Sequence, residues 1–254
     1  MTGTTRAQLI ERLTAAGCIA ADAEADELLR AAIDDDRLRD SIARREQGEP
    51  LAWITGTMVF CGRRIHVEPG VYVPRIQTEP LAARAAALLP SGGRAVDLCT
   101  GAGAIAASLR AEVPTAAVVG IDLDPLAVRC AHRNGVPTVL GDLATPLRAD
   151  ANVDVVTAVA PYVPTDELHL LPADVQRHEP RSALDGGVDG LDVVRRVVSA
   201  SATMLGPGGW LLLEIGGEQA ALLRDTLSAH GFATTEPWFD DDGDLRGLAT
   251  QRGD

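Results

Sequence analysis

The first part of the chain contains three groups of apolar residues at helical spacing, and these groups predict three short helices. The groups are Leu9, Ile10 and Leu13; Leu28, Leu29 and Ile33; and Leu38 and Ile42. Thr4 and Thr5 are possible N-caps of the first helix, and Gly17 is a plausible stop. The acidic run 34–36 precedes the third group, where a helix dipole favours negative charge, and we interpret it as a solvated face.

The pattern changes twice after these helices. Residues 48–74 are punctuated by glycine and proline around short apolar pieces, which predicts turns and a hairpin. From Arg94 onward, strand-like apolar runs alternate with helical segments, and this alternation predicts a doubly wound α/β sheet with buried parallel strands. The predicted strands are 95–98, 117–121, 153–159 and 210–215, and the predicted helices are 104–110, 125–134, 191–205 and 218–229.

Charge and length narrow the functional classes. The 254 residues suffice for one large domain or for one domain with a small appendage. The chain has 23 basic residues, all arginine, and 36 acidic residues, so its net charge is −13. Residues 1–75 hold 10 of the arginines and 12 of the acids, which leaves most of the negative charge on the α/β part. An acidic chain of this kind argues against a nucleic-acid partner held mainly by electrostatics.

The sequence also predicts where the protein resides. The segment that follows Met1 lacks the pattern of a secretory signal, and no run approaches the roughly 18 apolar residues of a membrane span. We therefore expect a cytoplasmic protein without a membrane partner. The four cysteines are too far apart to form a metal-binding motif and are expected to be reduced thiols, and no metal site is predicted. They are Cys18, Cys61, Cys99 and Cys130.

A glycine-containing turn follows the first strand of the α/β part. Residues 97–103 read Asp-Leu-Cys-Thr-Gly-Ala-Gly and lead into a helix, so the backbone can approach a ligand and the helix N-terminus offers free N–H groups. Asp122 ends the next strand, where a carboxylate can accept hydrogen bonds from ribose hydroxyls. The predicted cofactor-binding residues are Asp97, Thr100, Gly101, Gly103, Asp122 and Asp142.

Two cofactors are compatible with this turn. Gly101, Gly103 and Ala106 satisfy the looser dinucleotide pattern, which would indicate an NAD-dependent oxidoreductase. Asp97 favours S-adenosylmethionine, because a carboxylate before the turn suits the ammonium and sulfonium charges of that molecule better than a pyrophosphate. Asp142 lies between the predicted strands 117–121 and 153–159, where an adenine would lie.

The segment at the carboxyl end of the predicted strand 153–159 is expected to receive the substrate. It reads Val159-Ala160-Pro161-Tyr162, followed by Val163 and Pro164. The prolines impose a rigid turn at the carboxyl end of a buried strand, where doubly wound sheets bind ligands. The tyrosine can stack on a planar amide or base.

Together these motifs resemble the protein-(glutamine-N5) methyltransferases, which modify the Gly-Gly-Gln loop of peptide chain release factors. The resemblance extends from about Gly48 to Leu248. Its motifs are the segment 48–56 with 60–62, the run 73–79 similar to "PRPETE", the stretch 179–191 similar to "EP..AL.GG.DGL", and residues 213–216 with Gln219. It implies a Rossmann-like methyltransferase domain over 75–254, a small helical substrate-recognition domain with a hairpin linker over 1–74, and a release factor as the partner.

Three of these motifs depart from the family pattern. Cys99 stands where the family has glycine, which a cysteine tolerates if its φ is negative, and Ile76 and Gln77 replace Pro and Glu. The family's Asn-Pro-Pro-Tyr appears here as Val159-Ala160-Pro161-Tyr162. In the family the Asn oxygen and the next backbone carbonyl accept hydrogen bonds from the substrate amide and direct its nitrogen toward the methyl group.

The valine bears directly on activity. Val159 cannot accept a hydrogen bond, and by analogy with deleted oxyanion-hole donors the loss costs about 2–4 kcal/mol in the transition state. The resemblance thus leaves open a weak enzyme, a methyltransferase with another amine or amide acceptor, or a protein that binds S-adenosylmethionine without transfer. Gln77 and Glu214 lie in segments that could supply a polar group instead. The motif is shared with methyltransferases acting on adenine in DNA, against which the acidic charge argues.

Overall fold

The structure is a computed structural model that describes residues 5–148 and 151–253. Its helices are α1 Arg6–Ala15, α2 Ala21–Ala31, α3 Asp35–Glu46, α4 Leu51–Thr55, α5 Glu79–Leu88, α6 Ala104–Glu112, α7 Pro125–Arg133, α8 Ala173–His178, α9 Asp192–Met204 and α10 Gln219–Ala229. Its strands are β1 Thr57–Phe60, β2 Arg63–His66, β3 Arg94–Leu98, β4 Ala117–Asp122, β5 Thr138–Leu140, β6 Val153–Ala158, β7 Leu205–Glu214, β8 Phe232–Phe239 and β9 Leu245–Arg252.

The three predicted N-terminal helices are present. Thr5 caps α1 in a capping box with Gln8, whereas Thr4 lies outside the described residues. Gly17 follows α1 with a φ of +87°. The acidic run begins at the N-cap of α3, where Asp34 accepts a hydrogen bond of 2.7 Å from the Arg37 amide. These helices bury their own apolar cluster, which includes Leu9, Leu13, Leu28 and Ile42.

The predicted hairpin is the antiparallel pair β1–β2. Phe60 and Ile65 of the hairpin are buried in the same cluster as residues of α5 and α6, so this segment packs on the α/β part of the chain. Its turn is fixed to α5, because the Cys61 amide donates a hydrogen bond of 2.7 Å to Glu79. Asn134 links it to the glycine turn, donating through Nδ2 to the carbonyls of His66 and Ala102 at 2.8 Å each.

The central sheet has seven strands in the order β5-β4-β3-β6-β7-β9-β8. The first five are parallel, as the alternation of strands and helices predicts, and β9 and β8 add to the edge in antiparallel orientation. Helices α5, α6 and α7 bury one face of the sheet, and α9 and α10 bury the other. Strands β3, β4 and β5 follow one another toward one edge of the sheet, whereas the strands from β6 onward extend toward the other edge. The strand order therefore reverses between β3 and β6, and the crevice for a ligand lies at the carboxyl ends of these two strands.

In the described part of the chain, no helix is long and apolar enough to cross a lipid bilayer.

Candidate active site

The glycine turn is shaped by positive φ angles between β3 and α6. Gly101 has a φ of +55°, and its amide donates a hydrogen bond of 2.8 Å to the Asp122 carboxylate at the end of β4. A Cβ at Gly101 would meet open space, so the turn leaves room on its outer side for a ligand. This hydrogen bond therefore joins the turn to β4 at the point where the sequence predicts a cofactor.

Cys99 adopts a φ of +54°, so the condition under which a cysteine fits this position without strain is not met. A residue with a Cβ in the left-handed region is strained by about 1–2 kcal/mol. The conformation is imposed by the turn itself, because the Thr100 amide donates to the Ile121 carbonyl on the neighbouring strand β4 at 3.1 Å. Cys99 thus occupies a backbone position suited to glycine.

Asp97 is the most buried carboxylate of the turn, with 2% of its surface exposed. Its oxygens accept hydrogen bonds from the hydroxyls of Thr100 at 2.6 Å and Thr157 at 2.7 Å. Burial away from water raises the pKa of Asp97 to about 6, although these hydrogen bonds act in the opposite direction. A carboxylate in this position offers strong stabilisation to a cation bound in front of it.

A cavity of about 360 Å³ opens beside this carboxylate. Of the predicted cofactor-binding residues, those that line the cavity are Asp97, Thr100, Gly101, Asp122 and Asp142. Gly103 lies behind the turn, where a Cβ would come within 2.8 Å of the Ala131 side chain on α7. This glycine therefore allows α6 and α7 to pack closely, and a direct contact of Gly103 with a cofactor remains a prediction.

Asp122 lines the same cavity. Its two oxygens accept from the amides of Gly101 at 2.8 Å and Asp124 at 2.9 Å, so the carboxylate is held in one orientation. Burial raises the pKa of Asp122, with the backbone hydrogen bonds opposing the shift. Each oxygen keeps a further lone pair for a hydroxyl donor.

Asp142 forms an ion pair that the sequence analysis missed. Both of its oxygens accept from the Arg196 guanidinium of α9, at 2.8 and 2.6 Å, and both residues line the cavity. In the sequence, Arg196 is one of two adjacent arginines on an amphipathic helix, which is the pattern of a solvated face. Nothing in that pattern distinguishes it from the other surface arginines.

The four predicted catalytic residues lie between two cavities. Pro161 lines the cavity beside Asp97, Ala160 and Tyr162 line a second groove of about 780 Å³, and Val159 lines both. The second groove runs from this segment to the N-terminal helices, where it meets Cys18 and Arg45. Val159 therefore forms part of the wall that the two cavities share.

Tyr162 is held at both of its ends. Its hydroxyl donates to Glu214 Oε1 at 3.0 Å, and its backbone carbonyl accepts from Gln219 Nε2 at 2.8 Å. Burial raises the pKa of the Tyr162 phenol, and the neighbouring Glu214 carboxylate adds to the rise, so the phenol stays protonated. The ring orientation is thus fixed independently of any ligand.

Tyr72 and Arg75 also line the cavities near Val159. Tyr72 lines both cavities, with the Arg75 guanidinium 4.8 Å from its ring centroid. Arg75 also donates to the buried Glu179 carboxylate at 2.6 Å. Sequence reasoning included Arg75 and Glu179 only as parts of motifs, and the structure shows that they form a single ion pair.

Comparisons with known proteins agree with this geometry. A family model described as "Methyltransferase domain" matches residues 95–178. The release factor glutamine methyltransferase of Geobacter sulfurreducens is 41% identical over 76% of this chain and 70% of its own length. That of Moorella thermoacetica is 40% identical over 77% of this chain and 72% of its own length.

A solved structure, the E. cuniculi Mtq2–Trm112 complex that methylates the termination factor eRF1, has the same fold. Its superposition gives a TM-score of 0.54 at 22% identity and covers 72% of this chain and 99% of the matched chain. Identity this low supports the Rossmann-like methyltransferase fold alone. The extent and identity of the sequence matches carry more weight, and the chain belongs to the family of release factor glutamine methyltransferases.

Proposed function

We propose that the protein transfers a methyl group from S-adenosylmethionine to the side-chain amide nitrogen of a glutamine in a peptide chain release factor. The observation that carries the proposal is the position of Val159 in the wall shared by the two cavities. Family membership supplies the reaction class and argues against the NAD-dependent oxidoreductase that the glycine pattern alone allows.

The cavity beside β3 fits S-adenosylmethionine by the chemistry of its donors. Asp97 would stabilise the ammonium and sulfonium charges of the methionine moiety. Asp122 would accept hydrogen bonds from the ribose hydroxyls, and Asp142 would contact the adenine. Gly101 leaves the space that a ligand needs against the turn. When bound, S-adenosylmethionine supplies an electrophilic methyl group on a sulfonium.

The groove on the other side of Val159 is the proposed site for the substrate loop. The Ala160 carbonyl would accept one amide N–H of the glutamine, and the fixed ring of Tyr162 would lie against the planar amide. Ala160 precedes Pro161 and Tyr162 follows it, and the proline restricts the backbone between them. Because a displacement on a sulfonium needs alignment more than acid–base chemistry, such positioning supplies much of the rate.

The loop that we propose for this groove carries the sequence Gly-Gly-Gln. Two glycines before the glutamine give a backbone narrow enough to bring the amide down to the wall at Val159. The groove reaches the N-terminal helices, so those helices would contact the remainder of the release factor.

The direct test is a methyl-transfer assay with purified release factor, followed by mass spectrometry of the peptide that contains the glutamine. We expect a mass increase of one methyl group on this glutamine and none on a factor in which it is replaced by glutamate. Asp97→Ala, which removes the buried carboxylate of the cofactor cavity, is the inactive control. Absence of transfer by the native protein and also by Val159→Asn would contradict the proposal.

The valine supports a second candidate, a protein that binds S-adenosylmethionine without transferring its methyl group. Val159 removes a hydrogen-bond acceptor at the junction of the two cavities while leaving the cofactor residues in place. Calorimetry that shows tight cofactor binding, together with no turnover on any glutamine peptide, would favour this candidate.

A further inference from the structure

The register of the central sheet places Glu214 beside Val159. Strands β6 and β7 are parallel, and their last paired residues are Ala158 and Leu213. The residues that follow this pair are Val159, directly after the end of β6, and Glu214, the last residue of β7. Continuation of the same register would project both side chains to the same face. Both residues line the groove proposed for the substrate.

The Glu214 carboxylate has acceptor capacity left at this point. Oε2 accepts from the Thr78 hydroxyl at 2.6 Å and Oε1 accepts from the Tyr162 hydroxyl at 3.0 Å. A carboxylate has about four acceptor positions, so one further position on each oxygen is available for a donor in the groove. Only 6% of the residue is exposed, so a hydrogen bond made there is little weakened by water.

Resting on the proposed function, we propose that Glu214 accepts an N–H of the substrate amide in place of the asparagine side chain that Val159 lacks. The carboxylate and the Ala160 carbonyl would together receive the two N–H groups of the glutamine. Glu214 is then a catalytic residue in direct contact with the substrate.

The same carboxylate can take the proton that the reaction releases. The amide nitrogen uses its lone pair to form the new N–C bond, while the C–S bond of the methyl donor breaks and its electron pair stays on sulfur. The nitrogen then carries a positive charge, which the adjacent carboxylate stabilises at low dielectric. The N–H proton passes to Glu214 and from there to water in the groove.

The other polar candidate near the junction is less suited. Gln77 lines the same groove, but its side chain is exposed and would have to exchange hydrogen bonds with water for those with the substrate. The hydroxyls of Thr78 and Tyr162 already donate to Glu214, which fixes the carboxylate and leaves it as the acceptor.

A double-mutant cycle separates direct contact from a structural role. We expect Glu214→Gln to lower kcat/KM at least 30-fold in the native background and less than 3-fold in the Val159→Asn background, where the asparagine takes over. Similar losses in both backgrounds would overturn the proposal, since they would mean that Glu214 acts only by holding Tyr162 and Thr78. Glu236→Gln on the exposed edge strand β8 is the matched control.

Two measurements remain decisive if Glu214→Gln fails to fold. Val159→Asn alone should raise kcat/KM less than 10-fold, because the acceptor is already supplied, and a larger gain would overturn the proposal. Calorimetry without cofactor should show that Val159→Asn binds a Gly-Gly-Gln peptide with an affinity within 3-fold of the native protein, and a greater gain would overturn it. Absence of turnover by both proteins would instead contradict the proposed function itself.

Discussion

The Asp97 carboxylate on β3 accepts a hydrogen bond of 2.7 Å from the Thr157 hydroxyl on the neighbouring strand β6. This bond joins the turn proposed to hold the cofactor to the strand that leads to the proposed substrate segment. Because Asp97 is almost fully buried, its pKa is raised to about 6, and the carboxylate is ionised at neutral pH only at a cost in free energy.

Binding of S-adenosylmethionine should therefore depend on pH. A cationic ligand favours the ionised form, so affinity should be nearly constant above pH 7 and should weaken up to tenfold per pH unit below about 6. Burial also raises the pKa of Asp122, which acts in the same direction. Calorimetry between pH 5 and 8 measures the effect, and Asp97→Asn should flatten it. An affinity that does not change across this range would contradict the assignment of Asp97.

The same carboxylate should reduce the stability of the free protein. Its folded pKa lies above the unfolded value, so its contribution to stability is present below about pH 4 and is lost as the pH rises through about 6. Asp97→Asn should raise the free energy of unfolding at pH 7.5 by on the order of 1–2 kcal/mol while weakening cofactor binding more than tenfold. Urea denaturation checks the first effect, with exposed Asp166→Asn as control. Lower stability of Asp97→Asn would contradict it.

How far the sequence predicts this fold depends on where each strand lies. The parallel strands β3, β4, β6 and β7 are buried on both faces and appear as continuous apolar runs, so their order with the helices is readable. The edge strand β8 is exposed along most of its length and contains Pro237, and the sequence analysis did not include it. Its pairing with β9 depends on a neighbour that composition does not reveal.

In the candidate site, too, the sequence predicts groupings within one segment but not contacts between distant segments. Residues within one turn, such as Asp97 and Gly101, share a short segment and can be assigned from spacing. The neighbours Val159 and Glu214 come from two strands whose register is fixed only when the sheet packs, and the ion pair between Asp142 and Arg196 joins a loop to a helix 54 positions away. Such contacts between distant segments require the three-dimensional arrangement.

The left-handed conformation of Cys99 gives a stability prediction. A β-branched residue is excluded from a φ of +54°, so Cys99→Val should lower the free energy of unfolding by about 2 kcal/mol or more. Cys99→Gly relieves strain but loses the packing of the half-buried thiol, so its stability should stay within about 1 kcal/mol of the native value. Urea denaturation of the two variants, with Cys18→Val as control, checks the difference. Equal stability of the two Cys99 variants would contradict it.

Asp142 and Arg196, which form an ion pair at the cofactor cavity, should differ in their effect on cofactor affinity. Asp142→Ala removes the predicted acceptor for the adenine and should weaken binding of S-adenosylmethionine about 3- to 10-fold. Arg196→Ala frees that carboxylate and should not weaken binding. Both residues are substantially exposed, so each change should alter the free energy of unfolding by less than about 0.5 kcal/mol. Calorimetry that shows equal losses of affinity would mean that the pair acts as a unit.

Arg75 and Glu179 form an ion pair in which the carboxylate is buried and the guanidinium is half-buried, and removal of the arginine should be strongly destabilising. The Glu179 side chain is 1% exposed, and burial raises its pKa even though Arg75 opposes the shift. Arg75→Met should lower the free energy of unfolding by about 3 kcal/mol at pH 7.5, because an unpaired carboxylate stays buried. The deficit should be smaller at pH 5 than at pH 7.5, because the raised pKa of Glu179 makes the buried carboxylate easier to protonate as the pH falls. It should also be smaller in the double variant Arg75→Met/Glu179→Gln. Urea denaturation of the three proteins at both pH values measures this, and a deficit that is the same at both pH values would show that packing of the guanidinium, rather than its charge, stabilises the junction.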